Sequence, residues 1–201
     1  MKISNHQIAH HQIKKMILPI FAYGQPVLKQ VGKDIDSEYP DLESLIKNMW
    51  ETMYNANGVG LAAPQIGLPI RLFVIDTTQI KEDLLKGEEG FIKVFINAQI
   101  LEESGKSWSY EEGCLSIPDI RGDVARQEKI VIRYQDENFK EFTETYDGIN
   151  ARVIQHEYDH IDGKLFTEKL KPLKKSLIQN KLRNIADGRI KADYKIKFAK
   201  K

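Results

Sequence analysis

Residues 148–161 read GINARVIQHEYDHI, and no other segment constrains the chain as strongly. Ile149, Val153, His156 and His160 recur at i, i+4, i+7 and i+11, the stripe that one face of a helix presents. The spacing predicts a helix that stops before Asp162-Gly163 and turns two histidines toward its buried side. Imidazoles four residues apart on a helix have Cβ atoms about 5–6 Å apart, so both can reach one metal ion, and Glu157 stands beside them as a base. Buried imidazoles and a buried carboxylate need partners, and the fold must bring those partners to this helix. The HExxH pattern also occurs on exposed helix faces where it does nothing beyond solvation, so the pentapeptide alone leaves both readings open.

A third ligand has one obvious source. Cys114 is the only cysteine, which excludes an intrachain disulfide and with it a secreted disulfide scaffold. It lies in EGCLSIP (112–118), read as a short extended segment between a glycine and a proline. A lone cysteine is ordinarily a small buried hydrophobe. Beyond residues 1–15, however, the only histidines are the two already spaced as ligands. One Cys and two His leave a coordination position open, as catalytic sites do and closed structural sites do not. A further segment, GVGLAAPQ (58–65), follows a predicted helix over 41–57. Its glycines fit a helix C-cap and a turn. Without a GK[ST] or a preceding strand it is a poor phosphate loop, whereas small residues leading to Gln65 suit an amide donor aimed at an oxyanion.

With 201 residues, 41% of them hydrophobic, and a net charge of +1, the chain can bury one core and is not disordered in the main. Residues 16–201 are expected to form a single domain behind an extension at 1–15. No run approaches the roughly 18 apolar residues of a bilayer helix, and Met1–Lys15 lacks the apolar core of a secretory signal, so a cytoplasmic protein is expected. A strand is predicted at 71–76, a surface loop at 77–90, and β-rich stretches at 91–101, 129–134 and 139–146, the last two joined by a hairpin at 135–138. A last helix starts at Pro172, carries Leu173, Leu177, Leu182 and Ile185 on one face, and stops at Asp187-Gly188. Strands in the middle with flanking helices favour an α+β class.

Charge is uneven along the chain. From Lys169 onward, twelve Lys and Arg stand against two Asp, leaving the body before it acidic. Such an arm suits docking to a polyanion such as RNA, or is simply a solvated helix face.

Taken together, GVGLAAPQ, EGCLS (112–116) and QHEYDH (155–160) resemble the three motifs of the peptide deformylases, in that family's order, over about residues 16–186. The resemblance implies an α+β fold of small antiparallel sheets around a central metal-binding helix, with a C-terminal helix. It implies that Cys114, His156 and His160 bind one divalent metal ion, Fe(II) in the first place, with zinc, nickel or cobalt able to replace it. Glu157 would be general base and then acid, and Gln65 with the Leu115 N–H would donate to the developing oxyanion. Gly60 and Arg121 would contact substrate, while Ile149 and Val153 would line the pocket for the methionine side chain. Asp159 would support the ligands or cap the helix. The implied substrate is an N-formylmethionyl nascent peptide, with ribosome contact through the basic C-terminus and no membrane or DNA partner. Two rivals stand beside this reading. A zinc endopeptidase would need a further ligand after His160, where only Asp162, Glu168, Asp187 and Asp193 are available. A metal-stabilised RNA-docking module would need neither the open position nor Glu157.

Overall fold

Strand β3 (Leu72–Asp76) shows how the layers form. All five residues are buried, and because side chains alternate across a strand, Phe73 and Ile75 enter one apolar cluster while Leu72 and Val74 enter another. The first cluster packs against α3 (Gly148–Ile161), with Phe95, Ile130, Ile132 and Ile154. The second packs against α1 (Leu42–Asn55), whose Ile46, Met49 and Met53 turn inward. The chain is α+β, as expected, in the computed structural model, which describes residues 16–85 and 87–199; the proposed extension at 1–15 lies outside them.

The main sheet has five strands in the order β2–β3–β4–β5–β6, with every pair antiparallel. Its other members are β2 (Gly60–Ala62), β4 (Ile92–Cys114), β5 (Ile117–Gln135) and β6 (Glu141–Asp147). A short helix, α2 (Glu82–Leu85), interrupts the expected surface loop. The strands β4 and β5 are 23 and 19 residues long and continue through 102–128, where no strand was predicted. On β5 the inward positions alternate correctly but hold Gly122 and Arg126 beside Ile120 and Val124, which breaks the apolar period. On β4, Leu101, Glu102 and Glu103 are all exposed and carry no period at all. The hairpin turns at Leu115–Ser116, so EGCLSIP is two strand ends joined by a turn and not one extended segment.

Strand β6 runs directly into α3, where the Asp147 carboxylate accepts from the Gly148 N–H at 2.7 Å. Helix α4 (Pro172–Ala186) matches its predicted span, but its buried face does not. Ile178 and Ile185 are buried with Leu182 against Leu165, Phe166 and Leu170, while Leu173 and Leu177 are 74% and 69% exposed. The predicted stripe mixed two faces, since five residues between Leu177 and Leu182 turn the helix by roughly 140° at 3.6 residues per turn. A separate two-stranded sheet pairs β1 (Ile20–Phe21) with β7 (Ile196–Lys197), in parallel.

Candidate metal centre

Cys114 ends β4 at the hairpin tip, and α3 presents His156 and His160 to it from adjacent turns. The three candidate donor atoms lie within 4.8 Å of one another, and Cys114 Sγ is 3.3 Å from His160 Nε2. The His156 Nδ1 is 3.0 Å from Glu112 Oε2, which leaves Nε2 as the ring nitrogen for a metal. Burial, reinforced by the charge on His156, pushes the His160 pKa well down and favours the neutral imidazole that metals bind. His156 is only partly covered, and although desolvation lowers its pKa, Cys114 and Glu112 outweigh that and raise it to about 10. A soft thiolate and two imidazoles converging in a buried setting suit one divalent cation.

Glu157 points into the same space. Its carboxyl is buried, its Oε2 has no hydrogen-bond partner among the described residues, and burial pushes its pKa up to about 7. Gly60 makes room for it: a Cβ at position 60 would lie 2.5 Å from Glu157 Oε1. The GVG stretch therefore needs glycine at 60 because of a residue nearly a hundred positions later. At Gly58 the constraint is the Leu115 side chain, 2.7 Å from where a Cβ would stand. The left-handed residue that closes α1 is Asn57, with φ 54°, and not the glycine.

Gln65 is fixed at both ends of its amide. Its Oε1 accepts from the Ala62 N–H at 2.8 Å, so its Nε2 must face Cys114 Sγ at 3.5 Å and Ser116 Oγ at 3.3 Å. Leu115 follows Cys114 in the hairpin turn, beside that amide. The four residues expected against substrate, Gly60, Arg121, Ile149 and Val153, all line one cavity of about 870 Å³ that reaches Cys114, His156 and Glu157. Arg121 stands at its rim, 60% exposed and paired with Glu111 at 2.9 Å.

Sequence reasoning missed the polar network behind the ligands. Glu112 receives two hydrogen bonds from Arg126, at 2.7 and 2.9 Å, and one from Arg152 at 2.7 Å, besides its contact with His156. Burial would raise the Glu112 pKa, but the bonds from Arg126 and His156 overcome it and hold the carboxyl well below the usual range. Asp159 does not cap α3; it accepts from Arg126 at 2.8 Å and pairs with Lys169 at 3.1 Å. Arg152 also stacks over Trp108, 4.0 Å from the ring centroid, and donates to the Trp108 carbonyl. One signal was available: Arg152, His156 and Asp159 are spaced i, i+4, i+7 on a helix predicted to be buried, where charges must be paired.

Comparison with known proteins places this geometry. Residues 17–176 match the polypeptide deformylase family. A Christiangramia forsetii protein named peptide deformylase is 60% identical over 189 residues, covering 91% of this chain and 96% of the relative. A Flavobacterium johnsoniae protein of the same name is 58% identical over 190 residues, covering 92% and 97%. Among solved structures, a peptide deformylase from Legionella pneumophila superposes with a TM-score of 0.74 at 38% identity, covering 84% of this chain and 95% of that one.

Proposed function

This chain belongs to the peptide deformylase family, hydrolases that remove the formyl group from the N-terminal formylmethionine of nascent polypeptides, and from that premise we propose how its own residues perform the reaction. The observation that carries the assignment of roles is the convergence of Cys114, His156 and His160 beside the buried, unpartnered Glu157 oxygen. Cys114, His156 and His160 hold the metal. A divalent ion bound there supplies Lewis-acid polarisation and makes water acidic enough to ionise near neutral pH. From the family resemblance we assign Fe(II), with zinc, nickel or cobalt as alternatives; one thiolate and two imidazoles would accept any of these ions, and by affinity alone would hold the alternatives at least as tightly.

Glu157 accepts the proton of the attacking water. With its pKa raised by burial to about 7, it takes up and returns a proton at neutral pH at little cost. Water adds to the formyl carbon, the C–N bond breaks, and Glu157 delivers its proton to the methionine amine as formate leaves. Gln65 Nε2 and the Leu115 N–H donate to the oxygen that becomes negative, a contribution that depends on donors fixed in advance. Ile149 and Val153 wall the methionine side chain, and Arg121 meets the peptide at the rim.

Formate release from formyl-Met-Ala-Ser by anaerobically purified protein, with metal content assayed on the same sample, tests this reading. Glu157→Ala should keep its metal and lose about 100- to 10,000-fold in rate. Absence of release from metal-loaded wild type would overturn the assignment and return attention to peptide-bond cleavage.

We place the reaction in the cytoplasm, where formylated chains emerge; no helix among the described residues is long and apolar enough to cross a membrane. We further infer that the enzyme contacts the ribosome through its basic C-terminal part at α4, whose Lys174, Lys175 and Lys181 are all exposed, as is Lys171 just before it, beside Leu173 and Leu177. Lys174→Glu with Lys175→Glu should weaken ribosome co-sedimentation at low salt and leave tripeptide turnover unchanged. Equal co-sedimentation of both proteins would remove α4 from the contact.

A further inference from the structure

The segment after α4 lies beyond the family match, which ends at residue 176, yet it returns to the catalytic cavity. It is tied down by its pairing with β1: the Ile20 N–H donates to the Lys195 carbonyl at 2.8 Å and the Ala22 N–H to the Lys197 carbonyl at 2.9 Å. Gln25 adds a side-chain bond to the Phe198 carbonyl at 2.8 Å. Between α4 and β7, residues 191–194 border the cavity that holds Cys114 and Glu157. The Tyr194 ring packs against the cluster containing Met53 and Leu61, and its hydroxyl donates to the Leu115 carbonyl at 2.6 Å. From the other member of the pair, the Tyr23 N–H donates to the Ser116 carbonyl at 2.8 Å. Both residues of the hairpin turn are thus gripped by the two chain segments that β1 and β7 join.

We propose that Tyr194 is a positioning residue for the deformylation reaction, holding the Leu115–Ser116 turn so that the Leu115 N–H stays aimed at the developing oxyanion. The proposal rests on the reading of Leu115 as that donor. The Leu115 carbonyl and N–H lie in two peptide planes that meet at the Leu115 Cα, and because β4 and β5 pair on both sides of this two-residue turn, a change in one plane must be absorbed by the other. Oxyanion donors must stand within 2.7–3.1 Å of the charge they meet, and a misplacement of about 1 Å can cost on the order of 100-fold. A phenol suits the task because its ring packs at one end while its O–H bonds at the other. Gln65 Nε2 reaches the Ser116 hydroxyl of the same turn at 3.3 Å, so both donors assigned to the oxyanion touch this turn.

Tyr194→Phe keeps the ring and removes only the donor. In the metal-loaded enzyme, kcat for formyl-Met-Ala-Ser should fall about 10-fold with KM within about 2-fold, the division expected for a contact made in the transition state alone. Metal content and melting temperature should match wild type. Hydrogen–deuterium exchange of peptides spanning 110–118 should quicken about 10-fold in the variant while the rest of the sheet is unchanged. An unchanged kcat with unchanged exchange would overturn the proposal. So would a loss of kcat that follows lost metal or a lowered melting temperature, because Tyr194 would then serve folding and not the turn. If metal-loaded wild type releases no formate, the assignment of activity fails by itself, and the exchange comparison still decides whether Tyr194 holds the turn.

Discussion

Helices α3 and α4 have 14 and 15 residues, and they depart from the apolar-in, polar-out rule in opposite directions. On α3, Arg152, Gln155, Glu157, Asp159 and His160 are buried; on α4, Leu173 and Leu177 are exposed. The buried charges of α3 are answered from other elements, chiefly by Glu112 on β4 and Arg126 on β5. Asn150 Oδ1, Arg152 Nε, His160 Nδ1 and Glu157 Oε2 are left without a partner among the described residues, and of these only the Glu157 oxygen belongs to a carboxyl facing the same cavity as Cys114 and His156. Packed helices bury polar groups where neighbouring strands supply partners, and a carboxyl left short of one beside candidate ligands points to chemistry. Leu173 and Leu177 of α4 have no such cover among the described residues, so that helix offers a surface where α3 offers a site.

If that contrast is right, its largest consequence is at Glu112, which pairs with two arginines and a histidine. Glu112→Ala leaves two buried guanidinium groups short of their carboxylate and should destabilise the fold by about 3–5 kcal/mol, read by urea unfolding. It should also weaken metal binding by about 10- to 100-fold against a competing chelator, because His156 loses the group that orients it. Near-wild-type stability would mean that the burial of α3 does not depend on this network.

Gln65→Ala sharpens the distinction between holding the metal and using it. It should lower kcat by about 100- to 1,000-fold with metal content unchanged if, as proposed, its amide serves the oxyanion and not the metal. A loss of metal instead would mean that its contact with Cys114 Sγ matters more than its donor role.

The smallest effect belongs to Leu177 on α4: Leu177→Ser should change stability by no more than about 0.5 kcal/mol, whereas Ile178→Ala, one residue away, should cost about 2–5 kcal/mol because it opens a cavity in the cluster that holds Phe166. Equal costs at the two positions would show that Leu177 is covered in the folded protein.

Much of the site could be read from the residues. The stripe ending in His156 and His160 identified the buried side of α3, Asp162-Gly163 marked its end, and a single cysteine left one candidate for the third ligand. Gln65 stood out as an amide donor behind a run of small residues, the four residues expected against substrate came through the family resemblance, and one cavity gathers all of them. Other features were hidden because the residues that carry them break local patterns. Gly122 and Arg126 occupy inward positions of β5 where an apolar residue would have announced a strand. The leucines of α4 imitated a core stripe that the helix does not bury. Tyr194 gave no local sign, because its partner, the Leu115 carbonyl, is 79 residues away in sequence.

Residue types and their short-range spacing were enough to point to the candidate chemistry and the helices: which side chains can bind a metal, which can move a proton, and where periodicity and stop signals set α1, α3 and α4. Such features depend on spacings of three to five residues, which a linear chain displays directly. Packing was needed to show what crowds position 60, which carboxylate meets His156, which face of α4 is covered, and that residues 191–197 return to grip the Leu115 turn. Each of those depends on contacts between residues tens of positions apart, and such distances are set by packing, not by neighbours in the chain.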